Sequence, residues 1–255
     1  MMSRVDLDCF VGTWPFHYVR NNSLQDIERL HAANNIEYGF VSSTEAIFYN
    51  DPYEADRRLA DVLSGTRHRH VVTINPTLPG ALDSLTRMVR EFPVAGVRIL
   101  PGFHGYDMLD ARLEELAVLM RQLRLPLFLT MRMEDERATY MFHPNGIPIW
   151  DVGMFATTHT DLPILICNAR NSEVLWLKNI LREFPNVAAD CAGFKNGLFN
   201  IEELAEAGIL HKLTYGSIAP VFCMKSSVLL IETADIPCEA KDRIFSGEAF
   251  LSILK

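Results

Sequence analysis

The chain alternates short apolar runs with longer segments in which apolar residues recur at helical spacing. The apolar runs, each followed by a loop, are Val5–Phe10, Tyr38–Ser42, His70–Asn75, Ala95–Leu100, Leu127–Arg132, Ile164–Asn168, Val187–Cys191 and Leu213–Ser217. The amphipathic segments between them include Leu24–Ala33, Tyr53–Leu63, Leu82–Phe92, Leu109–Leu123, Glu173–Phe184 and Ile201–Ala207. Two of these segments end in Arg-Glu-Phe-Pro, where proline stops the helix before the next strand. The pattern predicts eight strand–helix units.

Eight alternating units in 255 residues favour parallel strands that are buried on both faces and closed into an α/β (β/α)8 TIM barrel. An open, doubly wound sheet is the alternative. The sequence has neither a glycine-rich dinucleotide fingerprint after the first run nor a Gly-x-x-x-x-Gly-Lys-Ser/Thr loop, so nucleotide-binding versions of these folds lack support. Because no linker or low-complexity segment divides the chain, we expect residues 1–255 to form a single domain.

Composition and charge narrow the expected partners and location. The formal net charge of -8 disfavours nucleic acid as a partner, so a small molecule is the expected ligand. No apolar run approaches membrane-spanning length, and the first residues lack the apolar core of a signal peptide. The five cysteines lack paired metal-binding spacing and fit reduced thiols. We therefore expect a cytoplasmic protein without a membrane partner, and a homo-oligomer stays open.

In a parallel barrel, catalytic residues lie where strands end and loops begin. The polar residues expected there are Asp8, Arg98, Arg132, Asn168, Arg170, Asp190 and Ser217. If alternation points Asp8, Asn168 and Asp190 into the barrel, it points the neighbouring cysteines outward, toward the helices. These cysteines are Cys9, Cys167 and Cys191. We interpret them as small buried hydrophobic residues rather than nucleophiles.

Arg98, Arg132 and Arg170 fall at consecutive strand ends. A buried arginine is costly unless an anionic group meets it, and the planar guanidinium suits a carboxylate or phosphate. We therefore predict that these arginines, with Asn168, bind a small anionic molecule. The alternative is an internal ion-pair network without a ligand. Its acidic members would be Asp8, Glu134 and Asp190.

His104 lies in the glycine-containing loop after the fourth run. Its intrinsic pKa suits proton transfer near neutral pH, and an ordinary surface-loop histidine is the alternative. Aromatic residues expected to wall the pocket are Trp14 and Tyr106. The turn-rich stretch Met141–Ile149 is a candidate lid.

Six stretches along most of the chain carry a family resemblance: Val5–Gly12, Gly96–Pro101, Leu125–Thr130, Leu162–Asn168, Asn186–Asp190 and Leu213–Pro220. They resemble the amidohydrolase superfamily, specifically its amidohydrolase-related, or amidohydrolase-2, branch. The resemblance implies a barrel with its site at the strand ends. It also implies chemistry on a small molecule, usually with one or two divalent metals.

The resemblance implies metal ligands at His-x-His on the first strand, at the ends of strands five and six, and at an aspartate after strand eight. The matching positions here are Asp8, Phe10, Thr130, Asn168 and Ile218. Phe10 and Ile218 cannot coordinate a cation, and Thr130 and Asn168 are weak ligands for zinc. We therefore expect no metal and no other cofactor. Proton transfer would then fall to Asp8, His104 or Asp190, and a metal held by these three is the alternative.

Three classes of function remain. The first is a metal-independent hydrolase, of lactonase type, or a lyase acting on a small carboxylated substrate held by the arginines. Decarboxylation ranks lower, because relatives with that activity generally keep the metal. The second class is a non-catalytic ligand-binding module, and the third is a partner subunit with a vestigial pocket. Retained charge at the strand ends disfavours the third class, and we favour the enzyme.

Overall fold

The structure, a computed structural model, describes residues 3–135, 144–195 and 198–254. Eight parallel strands form one sheet in chain order: β1 (Arg4–Val11), β2 (Ile36–Ser43), β3 (Arg69–Thr73), β4 (Gly96–Ile99), β5 (Leu127–Thr130), β6 (Ile164–Cys167), β7 (Val187–Asp190) and β8 (Leu213–Thr214). The helices are α1 (Leu24–Ala33), α2 (Tyr53–Leu63), α3 (Ala81–Glu91), α4 (Pro101–His104), α5 (Ala111–Leu123), α6 (Ile149–Thr158), α7 (Asn171–Trp176), α8 (Lys178–Glu183), α9 (Asn200–Glu206), α10 (Met224–Glu232), α11 (Cys238–Ser246) and α12 (Glu248–Leu251). The predicted α/β barrel is confirmed.

Several element boundaries differ from the prediction. The helix predicted over residues 173–184 is two short helices, α7 and α8, because Leu177 interrupts it with non-helical backbone angles of φ -81° and ψ 5°. β8 ends at Thr214 instead of residue 217, since its pairing with β7 stops there. The candidate lid begins with residues 141–143, which lie outside the described residues. Its last residue, Ile149, starts α6.

The barrel closes at a seam between β1 and the chain that follows β8. The Leu7 N–H donates to the Tyr215 carbonyl at 3.0 Å across this seam. Asp6, fully buried on the helix side of β1, accepts hydrogen bonds from the Ser217 N–H at 3.0 Å and from its hydroxyl at 2.5 Å. His31 of α1 contacts the same carboxylate at 3.3 Å. A buried side chain therefore supplements the backbone bonds that complete the barrel.

Three layers fill the barrel interior. The lowest layer is apolar: Val5, Leu7, Phe40, Val71, Phe128, Leu165, Ala188 and Phe250. Above it each strand contributes one buried polar or thiol side chain, and we call this set the polar belt: Asp8, Ser42, Thr73, Arg98, Thr130, Cys167, Asp190 and Thr214. Toward the carboxyl ends lies a second apolar layer, the apolar cover: Phe10, Trp14, Val19, Ile47, Leu100, Met133, Ala192 and Ile218. The polar belt is therefore enclosed between two apolar layers.

The helices of the described chain are short. The longest of those given above, α5, has 13 residues, whereas a bilayer span needs about 20 predominantly apolar ones. Within the described ranges, no helix combines the length and apolar character needed to cross a membrane. The expected cytoplasmic location stays a prediction.

Candidate functional site

Arg98 of β4 is fully buried at the centre of the polar belt. Its Nη1 lies 2.8 Å from Asp8 Oδ1 and donates to Thr130 Oγ1 at 2.7 Å. Its Nε donates to Ser42 Oγ at 2.8 Å, and the guanidinium carbon lies 4.5 Å from the centre of the Phe10 ring. The pair with Asp8 is the internal ion pair that the sequence allowed as an alternative. A role of Arg98 in substrate binding stays a prediction.

Asp8 and Asp190 face each other within the polar belt. Asp190 Oδ1 accepts backbone N–H bonds from Asn168 at 2.8 Å and from Ala192 at 3.0 Å. Burial, followed by the charge of Asp8, raises the pKa of Asp190 well above its usual range. Burial also raises the pKa of Asp8, while the charge of Arg98 opposes the rise. Asp190 therefore retains its proton more readily than an exposed aspartate and can donate it in a hydrogen bond to Asp8.

Both carboxyl groups are fully buried beneath the apolar cover. A ligand can reach Asp8 or Asp190 only if residues of that cover move. The predicted proton-transfer roles of the two residues stay predictions. In this conformation their carboxyl groups set the charge of the interior around Arg98.

The outward orientation predicted for the cysteines holds for Cys9 and Cys191, which pack in the cluster between strands and helices. It is wrong for Cys167, which shares the interior cluster with Leu165. The next residue, Asn168, has a left-handed backbone with φ 54°. The prediction assumed that Asn168 and Cys167 alternate regularly, and the left-handed conformation breaks that alternation. Burial raises the pKa of the Cys167 thiol well above its usual range, which keeps it protonated and unreactive.

The positions that the resemblance assigns to metal ligands do not fit a divalent metal. Phe10 and Ile218 belong to the apolar cover and offer no donor atom. Thr130 accepts a hydrogen bond from Arg98, which also pairs with Asp8. A guanidinium therefore already supplies a positive charge between two of the assigned positions, and the donor set lacks the three strong ligands that catalytic zinc requires.

The donors of the polar belt and His104 do not change this result. Donor atoms of Asp8, Cys167 and Asp190 lie within 4.8 Å of one another, but the thiol is held protonated and Asp8 is paired. The alternative metal-binding set was Asp8, Asp190 and His104. Among the described residues, no hydrogen bond joins His104 to either aspartate. His104, the last residue of α4, bonds through Nε2 to the Ile47 carbonyl at 3.0 Å. Burial lowers the pKa of His104 to about 4, so its ring is neutral at neutral pH.

The aromatic residues predicted to wall a pocket lie around the barrel mouth. Trp14 belongs to the apolar cover and donates through Nε1 to Glu134. His17 Nδ1 lies 3.2 Å from the same carboxylate. Tyr106 is half-buried and stacks on His104, with ring centres 6.3 Å apart. Within the part of the chain that the structure describes, the Glu134 contacts are thus Trp14 and His17, whereas the ion-pair alternative paired Glu134 with the arginines.

Arg132 stabilises the loops after β5 and β6. Its guanidinium makes a bidentate pair with Glu173, with bonds of 2.6 and 2.8 Å, and also donates to the Asn168 carbonyl at 2.8 Å. Glu173 in turn accepts the Arg170 N–H at 2.7 Å at the start of α7. This partner was not predicted, because Glu173 lies in a helical segment rather than at a strand end. Arg132 therefore joins the two loops, and its predicted contact with substrate stays a prediction.

A cavity of about 260 Å³ opens between the loops after β6 and β7, at the carboxyl end of the barrel. Its polar lining includes Arg170, Ser172, Lys195, Asn200 and Glu203. Arg170 is exposed and Lys195 is half-buried. Of the predicted substrate-binding arginines, Arg170 is therefore the one that borders this cavity.

Lys195 follows β7, and its sequence position places it near the predicted site, but no catalytic or binding role was predicted for it, since a lone lysine five positions beyond a strand gives little signal. Its Nζ donates to Asn168 Oδ1 at 3.4 Å and lies 2.7 Å from the centre of the Phe222 ring. Burial lowers its pKa to about 7, opposed by the charges of Asp190, Asp135 and Asp8 and aided by that of Arg132. Both the amine and the ammonium form are therefore populated near neutral pH.

A larger cavity, of about 830 Å³, lies at the opposite end of the barrel. Its lining includes Pro163, Pro185 and Leu213, which precede or begin strands. Barrel enzymes place their chemistry at the carboxyl ends of the strands, where the smaller cavity lies. We therefore assign the candidate site to the smaller cavity.

The chain belongs to the amidohydrolase family, because that family's model, described as Amidohydrolase, matches residues 16–249. A 2,6-dihydroxybenzoate decarboxylase from Rhizobium is 14% identical, with a TM-score of 0.70 over 100% of this chain and 99% of that one. A protein assigned as a 2-pyrone-4,6-dicarboxylic acid hydrolase from Pseudomonas putida is 15% identical, with a TM-score of 0.68 over 99% and 98% of the two chains. A 5-carboxyvanillate decarboxylase from Sphingomonas paucimobilis is 15% identical, with a TM-score of 0.65 over 98% and 99%. At these identities the likeness shows the fold, and no curated protein sequence matches the chain.

Proposed function

We propose that this protein is a metal-independent hydrolase, of lactonase type, or a lyase, and that it acts on a small carboxylated substrate. The observation that carries this proposal is the cavity of about 260 Å³ lined by Arg170 and Lys195 at the carboxyl end of the barrel. A guanidinium fork and an amine are suited to an organic acid. The volume is close to the lower end of ligand pockets, about 300 Å³, which favours a small substrate.

One further observation supports a reaction without a metal, and another supports the substrate class. The Arg98 guanidinium, held by Asp8 and Thr130, supplies a fixed cation in the barrel interior. The structural neighbours are named for carboxylated compounds: 2,6-dihydroxybenzoate, 2-pyrone-4,6-dicarboxylic acid and 5-carboxyvanillate. The substrate class proposed here is accordingly a carboxylic acid or its lactone.

In the proposed site Arg170 binds the substrate carboxylate and Lys195 transfers protons. Asn168 positions Lys195 through its side-chain oxygen. Asp190 fixes Asn168 by accepting its backbone N–H at 2.8 Å. The polar belt therefore acts on the cavity through Asn168, without direct contact between its carboxyl groups and the substrate.

A non-catalytic ligand-binding module is the second candidate function. The observation that favours it is the complete burial of Asp8 and Asp190 beneath the apolar cover. In that case an acid would bind at Arg170 and stabilise the fold, but no bond would break.

The test is a thermal-shift screen of small mono- and dicarboxylic acids and lactones, followed by a turnover assay of each stabilising compound. We expect a stabilising acid for the native protein and for Arg57→Ala, which removes an exposed arginine of α2. Arg170→Ala should lose about 1.5 to 3 kcal/mol of binding free energy, the scale of a hydrogen bond to a charged group. Lack of stabilisation by any acid, or equal stabilisation of Arg170→Ala, contradicts the carboxylate site. Binding without turnover favours the ligand-binding module.

A further inference from the structure

We propose that Lys195 is a covalent catalytic residue that forms an imine with a small 2-keto acid whose carboxylate is held by Arg170. This inference rests on the proposed function of the cavity as a carboxylate site, and it specifies the substrate class and the type of lyase chemistry. Lysine amines form such intermediates with carbonyl substrates when a desolvated or cationic setting favours the neutral amine.

The surroundings of Lys195 fit a reacting amine. Its described hydrogen bond goes to a neutral amide oxygen, Asn168 Oδ1, and is long at 3.4 Å. The face of Phe222 shields Nζ from water on another side, at 2.7 Å from the ring centre. In the hydrogen bond Lys195 donates an N–H, so the bond does not use the nitrogen lone pair, which is the electron pair that must attack a carbonyl carbon. Lys195 also lines the cavity together with Arg170, so both residues border the space proposed for the acid.

Lys212 provides a contrast within the same chain. Its Nζ donates to three backbone carbonyls, those of Phe184, Pro185 and Val187, at 2.9, 3.3 and 3.2 Å. Three acceptors hold the ammonium form of this lysine in place, because a neutral amine has only two hydrogens to donate. Burial lowers the pKa of both lysines, but Lys195 lacks such a cradle among the described residues. Lys212 is thus a matched structural lysine.

The reaction balances without a co-reactant beyond water. The Lys195 amine attacks the C2 carbonyl carbon, the carbon–nitrogen bond forms, and the carbonyl oxygen leaves as water after taking up two protons. The protonated imine then accepts the electron pair of a breaking bond at C3, such as the bond to the second carboxylate in oxaloacetate. That step releases CO₂ and leaves an enamine, which is protonated at C3 and hydrolysed to pyruvate and the free amine. Pyruvate itself has no such leaving group and can be trapped as the imine.

The test is incubation of the native protein with pyruvate and sodium borohydride, followed by intact mass and peptide mapping. Borohydride reduces the imine to a stable secondary amine. We expect one adduct per chain, on Lys195 and not on Lys212, and no adduct in Lys195→Arg. At low pyruvate concentration Arg170→Ala should be labelled at least about tenfold less, as expected from the loss of a charged hydrogen bond.

Absence of an adduct on Lys195, or equal labelling of Lys195 and Lys212, overturns the proposal. Thermal shift with pyruvate separates this failure from failure of the carboxylate site. Stabilisation that depends on Arg170 but yields no adduct leaves the carboxylate site intact and removes the imine. Since the mapping uses the native protein, the result does not depend on the folding of Lys195→Arg.

Discussion

Replacement of Arg98 by methionine tests whether the polar belt stabilises the barrel through a buried ion pair. The change removes the guanidinium that pairs with Asp8 at 2.8 Å and donates to Ser42 and Thr130. Loss of one partner of a buried pair typically costs about 3 to 5 kcal/mol, because the other charge stays buried without compensation. We expect a decrease of that size in the free energy of unfolding of Arg98→Met at pH 8.

The loss of stability in Arg98→Met should be smaller at low pH, because the buried Asp8 carboxylate then binds a proton. In the native protein Arg98 opposes the rise in the pKa of Asp8 that burial causes. Without Arg98 the pKa of Asp8 rises further, so the folded variant binds a proton more tightly than the unfolded chain does. Stability from this protonation is fully present below the unfolded pKa, about 3.9. It decreases as the pH rises through the folded pKa, so the variant should be closer to the native protein at pH 5 than at pH 8.

The assay is urea denaturation of both proteins at pH 5 and pH 8. Arg57→Met, which changes an exposed arginine of α2, is the matched control and should alter stability by less than about 0.5 kcal/mol. Addition of Asp8→Asn to Arg98→Met should recover part of the loss, since it removes the uncompensated charge. A loss below about 1 kcal/mol for Arg98→Met, equal at both pH values, would refute the ion-pair reasoning.

Three further predictions follow from the same geometry. Elemental analysis should find zinc, iron and manganese well below one equivalent in the purified protein. The reason is that the assigned ligand positions hold Phe10, Ile218 and a threonine bonded to Arg98. One equivalent of any of these metals contradicts the metal-free site. The free energy of unfolding of the native protein should increase relative to that of Lys195→Met as the pH rises from about 7 to about 10, since the unfolded chain binds a proton at Lys195 that the folded chain releases. Urea denaturation of both proteins measures this difference, and a difference that is independent of pH excludes the lowered pKa. Gly216→Ala should lower the free energy of unfolding by about 1 to 3 kcal/mol, because the added Cβ would lie 2.6 Å from Asp190 Oδ2. Gly146→Ala is the control, since its added Cβ would meet open space. Similar melting temperatures of the two variants would contradict this packing.

The fold could be predicted because its signal repeats along the whole chain. Each parallel strand is buried on both faces and so reads as a short apolar run, and each helix has one apolar face. The order of interior layers also follows from positions two apart in a strand. Arg98 in the polar belt and Leu100 in the apolar cover are one such pair, and Asp190 and Ala192 are another.

The site was less predictable, because it depends on backbone geometry and on contacts between distant segments. The left-handed backbone of Asn168 breaks the alternation between Asn168 and Cys167, and such a conformation is uncommon outside glycine, even though asparagine is enriched in it. Glu173 meets Arg132 across 41 positions of sequence, and no local pattern encodes that pairing. The role proposed for Lys195 depends on its burial and on its place at the cavity near Arg170, both of which require the folded barrel.

The hydrogen bonds between Asp6 and Ser217 can form only late in the synthesis of the protein. The two residues are 211 positions apart, and at 5–20 residues per second a ribosome needs about 10 to 40 s to make the intervening chain. Throughout that interval β1 has no partner on one edge, and unpaired strand edges promote association between chains. A nascent or truncated chain that ends before Ser217 also lacks the hydroxyl group that donates to the Asp6 carboxylate. The last part of the barrel to be made is therefore the part that protects the first strand from aggregation.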